Sequence, residues 1–229
     1  MKKLFIIANW KSNKNIRETE EWLHNFSDGF KRNPFSLDNK EVIVAPSFTL
    51  LEHANYCSGN LKPPIKLAAQ TISPFGEGAF TGGVNGKQIK ELADYVTVGH
   101  SERRKYFHED EEIIKKKIEI TFKYKLTPIL CVSSIEQIIN LKSYILNREL
   151  VVAYEPLFAI GSGRADTPQN ANDMGSKIKE IIDSTPVLYG GSVTFDNVNT
   201  FTQMPSISGV LVGKASLDPL EFLEIIKNA

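Results

Sequence analysis

Glu155 is the residue whose neighbours most favour catalytic chemistry. It lies in Ala-Tyr-Glu-Pro-Leu-Phe-Ala-Ile-Gly-Ser-Gly-Arg (153–164), where one carboxylate ends an apolar run and a proline follows it. Gly161 and Gly163 then allow a loop whose backbone N–H groups can close on an anion. This pattern is typical of a general base under a lid, although an ordinary acid in a turn after a strand has the same local sequence.

Other residues that could take part in chemistry also follow apolar runs, and together they suggest one site. They are Asn9, Lys11, His100, Glu102, Ser192 and Gly213. An acid, an imidazole, an ammonium and glycine-rich backbone are the groups needed to move protons beside a carbonyl while a phosphate is held. Each residue also has a simpler interpretation, such as a solvated lysine at position 11 or a helix cap at position 100.

His100 differs from His24, His53 and His108, which lie in helical or loop stretches without a partner pattern. It stands between the apolar run that ends at Gly99 and the start of a helix. Unpaired N–H groups at a helix start disfavour an imidazolium, so we expect a neutral ring that donates a hydrogen bond.

Glycines near the end of the chain indicate an anion site. Tyr-Gly-Gly-Ser-Val (189–193) and Gly-Lys-Ala-Ser-Leu (213–217) each place glycine where backbone must approach a ligand closely. A phosphate pocket after strands seven and eight recurs in barrel enzymes. Ser192, Gly213 and Lys214 are therefore candidates for phosphate binding, although each segment alone is common in plain turns.

Eight short apolar runs must position these residues. They cover 4–9, 42–45, 66–70, 95–99, 128–132, 150–154, 186–189 and 210–212. Near-continuous hydrophobicity indicates parallel strands that are covered on both faces, and stretches with helical spacing lie between most of them. The pattern predicts a single (β/α)₈ barrel domain over residues 1–229, with the fifth crossover reduced to a bare helix around 135–146.

A doubly wound open sheet also alternates strands and helices. Its dinucleotide-binding form would carry Gly-x-Gly-x-x-Gly in the first unit, and no such motif opens this chain. Polar residues after nearly every strand favour the barrel, whose sites are assembled from many strand ends.

Composition excludes several classes of function. The 229 residues include 27 basic and 27 acidic ones, so no overall field attracts nucleic acid or an anionic membrane. Cys57 and Cys131 are the two cysteines, which argues against a disulfide framework and against a metal site. The apolar stretch at the N-terminus is too short for a signal sequence or a membrane span, so we expect a cytoplasmic protein.

Seven segments have the order and spacing of a known family. They are Ala-Asn-Trp-Lys (8–11), Ala-Ala-Gln (68–70), Gly-Ala-Phe-Thr-Gly (78–82), Gly-His-Ser-Glu-Arg-Arg (99–104), Ala-Tyr-Glu-Pro with Ala-Ile-Gly-Ser-Gly (153–163), Tyr-Gly-Gly-Ser-Val (189–193) and Leu-Val-Gly (211–213). Over essentially its whole length, the chain resembles the triosephosphate isomerases.

The resemblance implies a role for each group in proton transfer. Glu155 would remove a proton from carbon in dihydroxyacetone phosphate or glyceraldehyde 3-phosphate, and His100 would polarise the carbonyl. Lys11 and Asn9 would stabilise the enediolate intermediate, and Glu102 would support His100. The resemblance implies no cofactor and no metal.

The same resemblance implies how the phosphate is held. The loop 156–166 would close over it, with Gly161 donating a backbone N–H. Ser192, Gly213 and Lys214 would bind the other phosphate oxygens. Closure would exclude water, which protects the enediolate from losing phosphate.

Three departures from the family pattern affect these expectations. Lys214 stands where the family usually has glycine, and it adds a positive charge. Phe158 and Ser134 replace a tryptophan and a glutamate that pair across the lid hinge, so that hydrogen bond cannot form. Gly83 replaces a glutamate that normally pairs with the arginine at Arg103.

The family resemblance also implies a homodimer. The loop 71–85 keeps the family's length, and in the family its tip enters the neighbouring subunit near the lysine and the histidine. Phe80 and Thr81 would anchor it, and a two-fold symmetric interface is the ordinary solution.

Two other functions make different demands on the sequence. An aldolase or epimerase barrel would need a Schiff-base lysine inside a strand or a set of metal ligands, and neither pattern is visible. A barrel kept only for binding would be expected to lose Glu155, His100 or Lys11, and all three are present.

Overall fold

A computed structural model describes residues 2–229 of the chain. Eight parallel strands form one closed barrel in sequence order, because the first strand pairs with both the second and the last. Strands β1 to β8 are Leu4–Asn9, Lys40–Ala45, Lys66–Ala69, Tyr95–Val98, Thr127–Val132, Val151–Tyr154, Val187–Tyr189 and Gly209–Val212. The closed sheet confirms the (β/α)₈ prediction and excludes the doubly wound alternative.

Helices connect the strands around the outside of the barrel. Helices α1 to α9 are Ile16–Arg32, Phe48–Leu61, Gly86–Lys90, Ser101–Tyr106, Glu111–Lys123, Ile135–Ile145, Pro168–Ile181, Val198–Thr202 and Pro219–Asn228. The fifth crossover is the bare helix α6, as predicted. The third crossover is mostly the loop 71–85, with only the short helix α3 after it.

Side chains divide between two layers because successive strand residues point to opposite faces. The inner layer fills the barrel, with members such as Ile7, Ile43, Ile129 and Leu188, all fully buried. The outer layer packs the strands against the helices. The barrel is therefore a filled core, and a ligand can approach only its ends.

Helix boundaries follow from local capping. Asn15 starts α1 with a reciprocal capping box, since its side chain accepts from the N–H of Glu18 and the Glu18 carboxylate accepts from the N–H of Asn15. Asp218 starts α9 in front of a proline, and its carboxylate accepts two backbone N–H groups.

Two strands end one residue earlier than the sequence indicates. The third was predicted to reach Gln70 and the fourth to reach Gly99, but they end at Ala69 and Val98. Gly99 has a φ of 74°, which turns the chain out of the sheet. Gln70 follows β3, and its side-chain amide donates to the carbonyls of Ala45 at the end of β2 and of Lys11 in the loop after β1.

No helix within residues 2–229 is long and apolar enough to cross a membrane.

Candidate active site

The predicted site residues lie at the carboxyl ends of the strands, where they surround one cavity of about 950 Å³. The cavity is lined by eight of the nine predicted residues, namely Asn9, Lys11, His100, Glu155, Gly161, Ser192, Gly213 and Lys214. Glu102, the ninth, lies beside the cavity and pairs with Lys11 instead. A second cavity of about 430 Å³ lies at the opposite end of the barrel and contains none of these residues.

Glu155 follows β6 and is only 2% exposed. Its Oε1 lies 3.0 Å from His100 Nε2, and its Oε2 accepts the backbone N–H of Ser101 at 2.9 Å. Both carboxylate oxygens therefore have a defined partner, and the carboxylate faces the imidazole across the cavity floor. These two contacts hold the carboxylate in one orientation.

His100 caps the helix α4, and the cap determines which ring nitrogen carries the proton. Its Nδ1 accepts the backbone N–H of Glu102 at 3.2 Å. A neutral ring with Nδ1 as acceptor carries its proton on Nε2, the atom that faces Glu155 and the cavity.

Lys11 brings the ammonium to the same cavity from a strained backbone. Its φ is 52°, in the left-handed region that residues other than glycine rarely adopt. The Nζ atom donates to Glu102 Oε1 at 2.6 Å, and Asn9 Oδ1 accepts the N–H of Lys11 at 3.0 Å. Glu102 therefore contacts both His100, through its backbone, and the lysine, through its carboxylate.

Arg104 supports the site from behind. Its Nε donates to the carbonyl of Gly99 at 2.8 Å, and one terminal nitrogen lies 3.4 Å from the carbonyl of Cys131. Burial lowers the pKa of this guanidinium, and the nearby Cys131 and acidic residues oppose that effect. The side chain thereby links the end of β4, which His100 follows, to the end of β5.

Cys131 lies fully buried in the inner layer beneath the base. Burial first, and then the nearby Glu155 carboxylate, raise the pKa of its thiol well above the usual value. The thiol therefore stays protonated and is a poor nucleophile.

The loop 156–166, the predicted lid segment, contains two glycines at positions where the backbone has a positive φ. Gly161 has a φ of 66° and Gly163 a φ of 74°, and a Cβ at either position would meet nothing within 4 Å. Conformation, and not space, is thus the reason for glycine here. Phe158, at the start of this segment, is 63% exposed.

Two contacts attach the lid segment to the seventh strand and its loop. The hydroxyl of Ser192 donates to the carbonyl of Ala159 at 2.8 Å, and the hydroxyl of Tyr189 accepts the N–H of Asp166 at 2.7 Å. Burial raises the pKa of Tyr189 to about 12, so the phenol keeps its proton.

Lys214 begins a short 3₁₀ turn, Lys214–Leu217, directly after Gly213. Seven described residues other than glycine have positive φ, and Lys214 is not among them. Its exposed side chain lines the cavity near Gly213. The lysine therefore fits the ordinary backbone of the turn and brings a second ammonium to the cavity beside Gly213.

Sequence reasoning missed two residues that contact the predicted ones. Ser101 holds the base through its N–H, and Gln70 donates to the carbonyl of Lys11. Ser101 sits inside the Gly-His-Ser-Glu segment next to His100, so its place in the motif was a usable signal. For Gln70, the signal was a polar residue that ends an apolar strand.

A closed parallel barrel with a carboxylate, an imidazole and an ammonium at its carboxyl mouth belongs to the class of (β/α)₈ barrel enzymes. Within residues 2–229, no three His, Cys, Asp or Glu side chains are grouped to hold a metal ion. A family model described as triosephosphate isomerase matches residues 4–229. The chain belongs to the triosephosphate isomerase family.

Individual relatives match from end to end. A triosephosphate isomerase from Mesomycoplasma hyopneumoniae (strain 7448) is 39% identical over 246 aligned residues, which cover all of both chains. One from Dictyoglomus turgidum (strain DSM 6724 / Z-1310) is 35% identical, again over all of both chains. One from Lacticaseibacillus casei (strain BL23) is 38% identical over 98% of each chain.

Proposed function

We propose that the chain interconverts dihydroxyacetone phosphate and D-glyceraldehyde 3-phosphate through an enediolate, a step of glycolysis and gluconeogenesis. The observation that carries this proposal is the 3.0 Å contact between Glu155 Oε1 and His100 Nε2 at the floor of a cavity that a glycine-rich turn borders. The carboxylate takes a proton from the carbon beside the carbonyl. The imidazole donates a hydrogen bond to the carbonyl oxygen as negative charge develops there.

The same two groups account for every proton that moves in the proposed reaction. The proton that Glu155 removes from one carbon returns to the neighbouring carbon, while His100 moves a proton between the two substrate oxygens. Lys11 and Asn9 stabilise the enediolate charge, and Glu102 orients Lys11 through the 2.6 Å ion pair. The substrate is isomerised without net gain or loss of protons.

In this proposal, the phosphate lies beside the glycine-rich segments that line the cavity. Gly161, Ser192 and Gly213 provide donors from the lid and the last two loops, and Lys214 adds a charge that the family's usual glycine lacks. Closure of the loop 156–166 would exclude water from the enediolate.

The positions of lysine in the strands favour an isomerase over an aldolase that uses a Schiff base. Among the strands of the described chain, lysine occurs at Lys40 and Lys66, which are the first residues of β2 and β3. Both lie at the amino end of the barrel, opposite the cavity. No strand lysine is therefore placed to form a Schiff base there.

Substitution of Glu155 by glutamine tests the assignment. The amide keeps the size of the side chain but cannot accept the carbon proton. Turnover should therefore fall by about 10²–10⁴-fold or more. A coupled assay should show this loss, whereas Glu52→Gln, an exposed acid on α2, should match the wild type. Unchanged turnover in Glu155→Gln would remove Glu155 as the base.

We also propose one folded domain over 1–229, a cytoplasmic location and a homodimer formed through the loop 71–85. The barrel draws its strands from nearly the full length of the chain, which supports a single domain. Cys57 and Cys131 are both buried and free, which suits a reducing compartment. Phe80 and Thr81 at the loop tip are exposed, which suits a contact with a second copy.

A further inference from the structure

Lys11 needs external support to keep its conformation. Its φ of 52° places an L-residue in the left-handed region, where Cβ crowds the backbone. The residue follows β1 by two positions and lies in a loop, so no helix or strand ladder fixes it. Contacts from other parts of the chain must therefore hold it.

Gln70 supplies one of these contacts. Its side-chain Nε2 donates to the carbonyl of Lys11 at 2.9 Å and to the carbonyl of Ala45 at 2.8 Å. Both amide protons are therefore used, and the side chain ties the loop after β1 to the ends of β2 and β3. Asn9 fixes the other backbone group, because its Oδ1 accepts the N–H of Lys11 at 3.0 Å.

This backbone conformation determines where the ammonium lies. From it, Lys11 Nζ reaches Glu102 Oε1 at 2.6 Å. A Cβ placed on Gly213 would lie 3.5 Å from Lys11 Cε and 3.8 Å from Nζ, so the side chain also passes close to the glycine of the last loop. A change of φ at residue 11 would move the ammonium away from both neighbours.

We propose that Gln70 is a positioning residue. It holds Lys11 in its left-handed conformation and thereby keeps the ammonium beside Glu102 and Gly213. The inference rests on the proposed function, because it assigns Gln70 to the same site. Gln70 itself acts through the backbone of Lys11 and not on the substrate.

Two variants of similar size remove the donor. Gln70→Met deletes both hydrogen bonds, and Gln70→Glu places an oxygen against two carbonyls. A displacement of about 1 Å in a site can cost about 10²-fold in rate, so each variant should lower kcat/KM by about 10- to 100-fold. Gln203→Met, an exposed glutamine at the end of α8, is the matched control and should retain full activity.

A double-mutant cycle separates positioning from general support of the fold. In a Lys11→Gly background, glycine adopts positive φ without strain and no ammonium remains to be placed. Adding Gln70→Met should then cost no further activity. If Gln70→Met costs the same factor in both backgrounds, or costs nothing in the wild type, the proposal is overturned.

A crystal structure of Gln70→Met gives a readout that does not depend on turnover. The proposal requires the φ of residue 11 to leave the left-handed region or the ammonium to separate from Glu102; retention of both would overturn it. Should Gln70→Met not fold, Gln70→Glu serves the same measurement. A wild-type chain without isomerase activity would instead overturn the proposed function, and this structural comparison would still test the positioning.

Discussion

At the scale of single residues, the site depends on backbone conformations that place ordinary side chains. Lys11 has a positive φ, Gly99 turns the chain before His100, and the lid needs two glycines. The glycines adopt positive φ without strain, whereas Lys11 pays free energy for it and keeps the conformation only because neighbours hold it. The chemistry of the site therefore depends on contacts that lie outside the catalytic groups themselves.

Lys214 brings an exposed side chain with a positive charge to the cavity. Replacing it by methionine removes the charge and keeps the length, so the KM for glyceraldehyde 3-phosphate should rise by about 3- to 10-fold, an effect of about 1 kcal/mol for an exposed charge. The difference from the wild type should shrink at high salt because the ammonium is exposed. Lys116→Met, on the exposed face of α5, is the control; a KM for Lys214→Met equal to that of the control would show that the charge is irrelevant.

At the scale of elements, the end of the lid is attached to the seventh strand. Tyr189 stacks on Phe201 with ring centroids 4.0 Å apart, and its hydroxyl accepts the N–H of Asp166.

Tyr189→Phe would leave that buried N–H unpaired, at a cost of about 1–3 kcal/mol. Hydrogen exchange should therefore become faster around residue 166, and kcat/KM should fall. Tyr56→Phe, at an exposed position, provides the comparison; unchanged exchange in Tyr189→Phe would show that the anchor is unimportant.

The elements were also the most predictable part of the molecule. Near-continuous apolar runs identified all eight strands, because a parallel barrel buries both faces of every strand. The strand ends and the supporting contacts were harder. Gln70 contacts a carbonyl 59 positions earlier in the chain, and Ser101 holds a carboxylate 54 positions later. Hydrogen bonds over such distances depend on barrel closure and register, which local patterns do not encode.

At the scale of the whole molecule, charge pairs at the amino end of the barrel make stability depend on pH. Burial alone would raise the pKa of Glu41, but hydrogen bonds from Lys3, Tyr95 and Lys66 lower it from 4.5 to about 2. A depressed pKa means that the stabilisation is fully present above pH 4.5 and is lost as the pH falls towards 2.

Glu41→Gln tests this dependence. Because Lys3 and Lys66 are largely exposed, we expect the carboxylate to contribute about 1–2 kcal/mol at pH 7, less than the full shift implies. Urea unfolding between pH 3 and 7 should show a smaller decline in stability on acidification for Glu41→Gln than for the wild type. Parallel curves for the two proteins would contradict the assignment, and Glu52→Gln should follow the wild type.

At the same scale, the proposed homodimer would form through the loop 71–85, whose tip leaves aromatic rings exposed. Phe75 and Phe80 stack with centroids 4.3 Å apart, yet both remain more than 40% exposed. The loop is already shaped, since Ser73 N–H donates to Val84 O at 2.8 Å and Gly83 N–H to Phe80 O at 2.9 Å. A preformed loop that exposes two stacked aromatic rings favours burial against a second copy.

Phe80→Asp places a charge on the proposed contact, so this variant should be monomeric where the wild type is dimeric, as measured by size-exclusion chromatography with light scattering. Phe195→Asp changes an equally exposed phenylalanine outside the loop and should remain dimeric. A wild-type chain that is monomeric at micromolar concentration, or a Phe80→Asp variant that stays dimeric, would refute the interface. In the proposed dimer, the family resemblance implies a loop tip near the partner's lysine and histidine. The monomer should then also lose activity, and the loss should reverse wherever high protein concentration restores the dimer.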